Sequence, residues 1–193
     1  MDKLINKFFA ILLILILFPL YLVIYIYLLI VIGKPVLFKQ LRSGLNGKNF
    51  NLYKFRTMKI NKELNITDSK RIIRSAIFLR HSRLDELPQL FNILKGDINF
   101  VGPRPLLPEY DGLYNSEQKK RLNVMPGITG WAQINGDNNI SWSKKFELDI
   151  WYVQNKSLLL DLKIIFLTII FILKKIIGNK NKKLIMEKFN GRN

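Results

Sequence analysis

From Phe8 to Ile32 the chain runs through 25 consecutive uncharged, almost wholly apolar residues. As a helix this run would be about 37 Å long, against a hydrocarbon core of about 30 Å. The pattern therefore predicts a membrane helix over residues 1–34. A cleavable leader describes it less well, because the run is too long and no small-residue cleavage site follows. Pro19 falls at its middle, and lysines flank both ends, Lys3 and Lys7 before it and Lys34 and Lys39 after it. The positive-inside rule places both flanks on the cytoplasmic face. Two arrangements stay open: a single spanning helix, or a re-entrant hairpin broken near Pro19 whose arms remain within one leaflet.

Residues 35–157 change character and read as a compact domain punctuated by Gly44, Asn46-Gly47, Gly96-Asp97, Gly102-Pro103 and Pro126-Gly127. Over 51–58 the alternation puts Lys54 and Arg56 on one face of an extended segment and Tyr53 and Phe55 on the other. That face is either a phosphate contact or simply solvated. Leu84, Leu87, Leu90, Phe91 and Leu94 recur at helical spacing, and Pro88 is tolerated in a first turn. Asp85 and Glu86 then stand at the N-terminal end, where unpaired backbone N–H groups favour anions and both carboxylates are expected to be ionised. The pair is either an acidic cap or a functional dyad. Residues Asn61 to Ser69 read as a polar surface loop, and a further helical region opens at Leu107.

Beyond 157 the chain turns apolar again, but Asp161 and Lys163 leave only the ten residues Ile164 to Leu173 free of charge. Ten residues cannot cross a bilayer. The 158–193 segment is expected to be an interfacial helix with a basic tail, Lys174, Lys175, Lys180, Lys182 and Lys183 facing anionic headgroups. A buried core helix followed by a basic tail is the other reading.

Charge sharpens this picture. The chain holds 31 Lys+Arg against 14 Asp+Glu, a formal net charge of +17, while 49% of it is apolar. Such a chain seeks anionic partners, and its apolar N-terminus argues against nucleic acid and for lipid or phosphorylated small molecules. Cysteine is absent, which excludes disulfides and thiolate metal sites. The single histidine, His81, is expected to be a surface or supporting residue. Trp131, Trp142 and Trp151 are expected to serve as core or membrane-interface aromatics.

The order of motifs is distinctive: Tyr-Lys-Phe-Arg-Thr-Met (53–58), Leu-Asp-Glu-Leu-Pro-Gln-Leu-Phe-Asn (84–92), Lys-Gly-Asp (95–97), Val-Gly-Pro-Arg-Pro-Leu-Leu (101–107), Pro-Gly-Ile-Thr-Gly-Trp-Ala-Gln (126–133) and Ser-Trp-Ser-Lys-Lys-Phe-Glu-Leu-Asp (141–149). Together they resemble the bacterial sugar transferase family, and more narrowly its small monotopic phosphoglycosyl transferases. The resemblance implies an α+β, mostly helical, monotopic membrane protein on the cytoplasmic face of the bacterial inner membrane. It implies transfer of a sugar 1-phosphate, here expected to be an N-acetylated amino sugar, from a UDP-sugar to polyprenyl (undecaprenyl) phosphate. A hexose is the alternative donor sugar, and a non-catalytic basic membrane adaptor the alternative of another class.

In the terms of that resemblance Asp85 is the nucleophile and Glu86 the second carboxylate of a dyad, with a covalent phosphosugar-aspartyl intermediate. Mg²⁺, contacted by Asp85, suits a diphosphate donor. Lys54, Arg56 and Arg104 match phosphate-neutralising positions, with Pro103 and Pro105 restricting the backbone around Arg104. Asp149 matches a further carboxylate near the site. Three departures stand out: Phe18 precedes Pro19 where the family has serine, Asp137 replaces an arginine, and the N-terminal polar positions are reduced to Lys3 and Asn6. The last departure is expected to weaken the contact between the membrane helix and the domain.

Overall fold

The structure, a computed structural model, describes residues 2–59, 71–177 and 187–192. Helix α1 (Lys3–Ile32) continues through Pro19 without ending there. The helix therefore runs on without the N–H that Pro19 cannot give the Leu15 carbonyl, and Pro19 lies on an exposed part of it. One stripe of α1, including Asn6, Ala10, Ile14, Tyr21, Ile24 and Leu28, packs against the rest of the chain, at the helical spacing of three, four and seven residues. The other faces expose Phe8, Leu15, Phe18, Leu22 and Ile26.

Both ends of α1 are tied to the same body. Near its start the Asn6 Oδ1 accepts from the Phe100 backbone N–H at 2.9 Å, and Asn6 is buried. Near its end the Tyr27 hydroxyl donates to the Ser75 carbonyl at 2.9 Å, and Arg56 Nη2 donates to the Ile32 and Gly33 carbonyls at 2.9 and 2.8 Å. Asn6 thus supplies a tether where a weakened contact was expected, because a short amide reaches the strand N–H directly.

Strands β1 (Leu37–Ser43) and β2 (Asn49–Phe55) form an antiparallel hairpin, paired from Leu37↔Phe55 to Ser43↔Asn49. Its turn uses left-handed backbone at Asn46 and Gly47, as the Asn-Gly pair foretells. Helix α2 (Ile77–His81) leads to a 3₁₀ turn, Leu84–Glu86, and then to α3 (Gln89–Lys95), closed by Gly96 at φ 81°. The expected helix start is displaced: Asp85 and Glu86 precede α3 instead of forming its first turn. Pro88 has no N–H to give the Leu84 carbonyl, so a 3₁₀ bond from the Leu87 N–H takes that acceptor at 3.3 Å.

Strands β3 (Asn99–Val101) and β4 (Gly127–Thr129) pair in parallel. Here the Val-Gly-Pro-Arg-Pro and Pro-Gly-Ile-Thr-Gly motifs clasp each other: Gly102 N–H donates to the Thr129 carbonyl at 2.9 Å and Gly127 N–H to the Pro103 carbonyl at 3.1 Å. A Cβ on Gly127 would lie 2.2 Å from the Gly102 nitrogen, so this approach requires glycine.

Short helices α4 (Ser116–Lys119) and α5 (Trp131–Ile134) lead into α6 (Trp142–Asn155), which Ser141 caps by accepting from the Lys144 N–H at 3.2 Å. Trp142 and Phe146 join Tyr110, Tyr114 and Phe189 in an aromatic cluster, and Trp142 Nε1 donates to the Glu187 carbonyl at 3.0 Å. Phe189 and the Glu187 carbonyl thus pack against the part of the chain between 106 and 146.

Helix α7 (Leu158–Ile177) docks one face through Tyr152 Oη to Asp161 Oδ1 at 2.7 Å, the fully buried Ile164, and Thr129 to Thr168 at 2.7 Å. Its other face exposes Leu159, Leu162, Phe166, Ile169 and Leu173. Lys180, Lys182 and Lys183, like the loop expected over 61–69, lie outside the described residues.

Candidate active site

Glu86 is the hub. Its Oε1 accepts from Lys54 Nζ at 2.7 Å, Arg104 Nη2 at 2.7 Å and Arg83 Nη1 at 3.2 Å. Strand β2, the loop after β3 and the turn before α3 deliver these groups to one point, although 50 positions of sequence separate Lys54 from Arg104. Burial works against the Glu86 charge, but Arg104, Lys54 and Arg83 outweigh it and hold the carboxyl well below the usual range. Burial lowers the Lys54 pKa in turn, against the pull of Glu86.

Asp85 is treated differently by the same turn. It is buried, its Oδ1 has no hydrogen-bond partner, and burial and the adjacent Glu86 charge raise its pKa while Lys54, Arg80 and Arg83 pull it back. Two adjacent acids are thus pushed apart, one locked as an anion and one kept basic, which is how a pair divides roles. The sequence expectation that both are simply held ionised by a helix terminus is corrected: the seven-residue α3 begins after them, and side-chain cations and burial decide their charge.

Two openings lie beside Glu86, which lines one itself and reaches the other through Lys54 and Arg104, while Asp85 lines neither. One is a cleft of about 770 Å³ lined by Lys54, Arg56, Arg104, Arg80, Lys145 and other groups, with residues 187 and 188 at its wall. The other is an apolar crevice of about 280 Å³ between α1, α3 and α7, to which Glu86 and Arg83 also contribute. The common face expected for Lys54 and Arg56 is the cleft wall, although Arg56 also caps α1 through its guanidinium.

Arg104 projects from between two buried prolines, Pro103 and Pro105, which hold its backbone without lining either opening. Its carbonyl accepts from Arg121 Nη2 at 2.6 Å, and Arg121 in turn pairs with Asp149 at 3.0 Å. The structure therefore places Asp149 behind the site, joined to it through Arg121 and Arg104. Asp137 accepts from Arg83 Nη2 and is buried, so it serves as a counter-charge for Arg83.

Arg80, Arg83, Arg121 and Lys145 were not singled out in the sequence. Arg83 had a local signal, three residues before Glu86; the others are brought in by long-range packing. Lys145 lies over the Trp142 ring, and burial, followed by Arg104, pushes its pKa down to about 8. Among the described residues, no group of three or more His, Cys, Asp or Glu side chains converges as a metal cage. The unpartnered Asp85 Oδ1 fits a different arrangement, in which a hard cation shares one carboxylate with substrate phosphates and water.

A carboxylate held by cations between a basic cleft and an apolar crevice defines a phosphate-handling site suited to a water-soluble anion and an amphiphile. Residues 1–175 match the bacterial sugar transferase family, and the chain belongs to it. An uncharacterized sugar transferase, EpsL, of Bacillus subtilis is 57% identical over 141 residues, covering 72% of this chain and 70% of the relative. The galactosyl transferase CpsE of Streptococcus agalactiae is 41% identical over 155 residues, covering 71% of this chain and 34% of its own length. A UDP-glucose:undecaprenyl-phosphate glucose-1-phosphate transferase of Escherichia coli is 38% identical over 148 residues, covering 70% and 32% respectively. The chain thus spans about a third of the length of these last two relatives.

Proposed function

We propose that this protein is a monotopic phosphoglycosyl transferase that moves a sugar 1-phosphate from a UDP-sugar to polyprenyl phosphate, releasing UMP. The observation that carries the reading is the position of Glu86, which lines the apolar crevice while its partners Lys54 and Arg104 line the basic cleft. The names of the relatives from Xanthomonas campestris and Escherichia coli, both UDP-glucose:undecaprenyl-phosphate glucose-1-phosphate transferases, support the same pair of substrates.

Asp85 is the nucleophile in this reading. Glu86 Oε1 is engaged by three cations and its charge is stabilised, so its lone pairs are poor donors; Asp85 has a free oxygen and a raised pKa. An Asp85 oxygen attacks the phosphorus that bears the sugar. The bond from that phosphorus to the bridging oxygen breaks, and UMP leaves with the oxygen. A phosphate oxygen of polyprenyl phosphate then attacks the same phosphorus, the Asp85–phosphorus bond breaks, and the carboxylate is restored as the polyprenyl diphosphate sugar departs.

Lys54, Arg83 and Arg104 spread positive charge where the transferring phosphate must lie, and Lys145 and Arg80 extend it along the cleft toward the nucleotide phosphate. Mg²⁺, held by Asp85 and the donor phosphates, would supply further charge neutralisation.

The ties at both ends of α1, at Asn6 and Tyr27, support a monotopic arrangement, since one domain cannot hold both ends of the helix from opposite sides of a bilayer, and the flanking lysines favour the cytoplasmic face. For the sugar, an N-acetylated amino sugar is our reading; a hexose is favoured instead by the names of the glucose and galactose relatives.

Purified full-length protein given a UDP-sugar without acceptor should release at most one equivalent of UMP and gain the mass of a phosphosugar on Asp85. Screening UDP-sugars by UMP release identifies the donor. An adduct on Glu86, or no adduct in a rapidly quenched active sample, refutes the nucleophile assignment.

A further inference from the structure

The crevice that Glu86 shares is not explained by donor binding. Leu13 and Leu17 of α1, Leu87 before α3 and Leu90 within it, and Phe171 and Ile172 of α7 form much of its wall, to which Arg83, Glu86 and a few uncharged polar side chains also contribute. Wall residues of this kind hold a chain of methyl and methylene groups and reject a nucleotide. Arg83 in the lining suits an anionic headgroup, so the space combines apolar and charged surface as an amphiphile does.

The crevice also continues into the surface. Its walls on α1 and α7 adjoin residues of the same two helices that are open to the outside, Leu15 and Ile16 on one and Phe166, Ile169 and Leu173 on the other. A ligand seated against Leu17 and Ile172 can therefore leave its distal part among these side chains and beyond them, in lipid. At about 280 Å³ the crevice lies near the lower limit of small-molecule sites, about 300 Å³, which suits the first units of a long chain and not the whole of it.

We infer that the crevice between α1, α3 and α7 receives the phosphate-proximal isoprene units of polyprenyl phosphate, with its phosphate toward Arg83. This rests on the proposed function for the identity of the acceptor. It adds that donor and acceptor use separate spaces for uridine and isoprenoid while their reacting phosphates share one place. In successive in-line displacements at one phosphorus, the acceptor oxygen enters from the side by which UMP left, opposite Asp85. The meeting of cleft and crevice at Glu86 provides such a shared position.

The test uses full-length protein in nanodiscs and a polyprenyl phosphate with a diazirine on its first isoprene unit. Crosslinks are expected on α1 between 13 and 17 and on α7 between 168 and 172. Crosslinks elsewhere overturn the inference, as does their loss when anionic phospholipid is added in excess, which would make the crevice a bulk-lipid site. This arm does not depend on turnover, so crosslinks at the crevice in a protein that releases no UMP from any UDP-sugar would refute the proposed reaction while supporting the binding site.

In active protein, Leu17→Trp and Ile172→Trp should raise the KM for undecaprenyl phosphate about tenfold relative to the KM for the UDP-sugar, equivalent to ~1.4 kcal/mol. Ile26→Trp, which adds the same bulk on an exposed part of α1 outside the crevice, should leave both unchanged. Should the indole variants fail to fold, Leu17→Ala gives the same comparison by enlarging the crevice. An unchanged acceptor KM in every folded crevice variant overturns the inference.

Discussion

Asp149 and Arg121 form an ion pair at 3.0 Å in which each side chain is only 2% exposed. Burial alone would lower the Arg121 pKa, yet Asp149 and Tyr114 hold it above its ordinary value. The same guanidinium donates to the Arg104 carbonyl at 2.6 Å, so a pair remote from both openings fixes the backbone that aims Arg104 at Glu86. Two carbonyl and glycine contacts from the β3–β4 clasp fix that segment from the other side.

Asp149→Asn should destabilise the protein by about 3–5 kcal/mol, because it leaves a buried guanidinium without its counter-charge. Thermal unfolding in detergent would show this as a large drop in Tm. The double variant Arg121→Met/Asp149→Leu should recover much of that stability while kcat stays low, since the Arg104 carbonyl has lost its donor. Recovery of kcat together with stability would show that the pair serves the fold alone.

Arg104→Lys should lower kcat/KM for the UDP-sugar by roughly tenfold to a hundredfold, the scale of losing a charge-assisted hydrogen bond of about 1.5–3 kcal/mol. A guanidinium can hold Glu86 with one N–H and reach phosphate with others, whereas an ammonium on a shorter fork cannot reproduce that geometry. Wild-type kinetics in this variant would remove Arg104 from the site.

The pH profile should carry two signatures. On the acid side, single-turnover UMP release should fall at a pH above the ordinary aspartate pKa of 3.8, because burial and Glu86 raise the Asp85 pKa and only the ionised form attacks. Glu86→Gln removes a charge that raises it, so the residual acid limb should move to lower pH. On the basic side, the donor KM should rise above about pH 8, where the Lys145 side chain, with its pKa lowered by burial, loses its proton and its attraction for phosphate. Lys145→Arg should keep the KM flat through that range, and Lys145→Met should give a weaker, pH-independent KM.

Single cysteines at Lys3 and Lys39 should both react with an impermeant reagent only after cells are permeabilised. Labelling of the first site in intact cells would restore the spanning arrangement. Asn6→Ala removes the bond to the Phe100 N–H, and Pro19→Leu removes a helix penalty of about 3 kcal/mol. Together they should expose a measurable fraction of the N-terminal site to external reagent.

Much of this protein was legible in the order of its residues. The apolar run over Phe8 to Ile32, the Asn46-Gly47 turn and the Lys54/Arg56 alternation each express a periodicity that a few neighbouring residues impose on the backbone. The acidic pair stood out because it interrupts a basic chain, and the succession of motifs pointed to the family.

Tertiary structure alone decided how the two acids differ. Asp85 and Glu86 are neighbours in one turn, and of the cations that separate their charges only Arg83 is local; Lys54 and Arg104 are brought to the same Glu86 oxygen from distant strands and loops. Burial, set by packing on all sides, leaves the Asp85 Oδ1 without a partner. The same holds for Asp149, whose role passes through Arg121, and for the tether at Asn6. Local pattern determines which face of an element is apolar, but electrostatics falls off with distance in space, not along the chain, so the chemistry of the site appears only when the chain has folded.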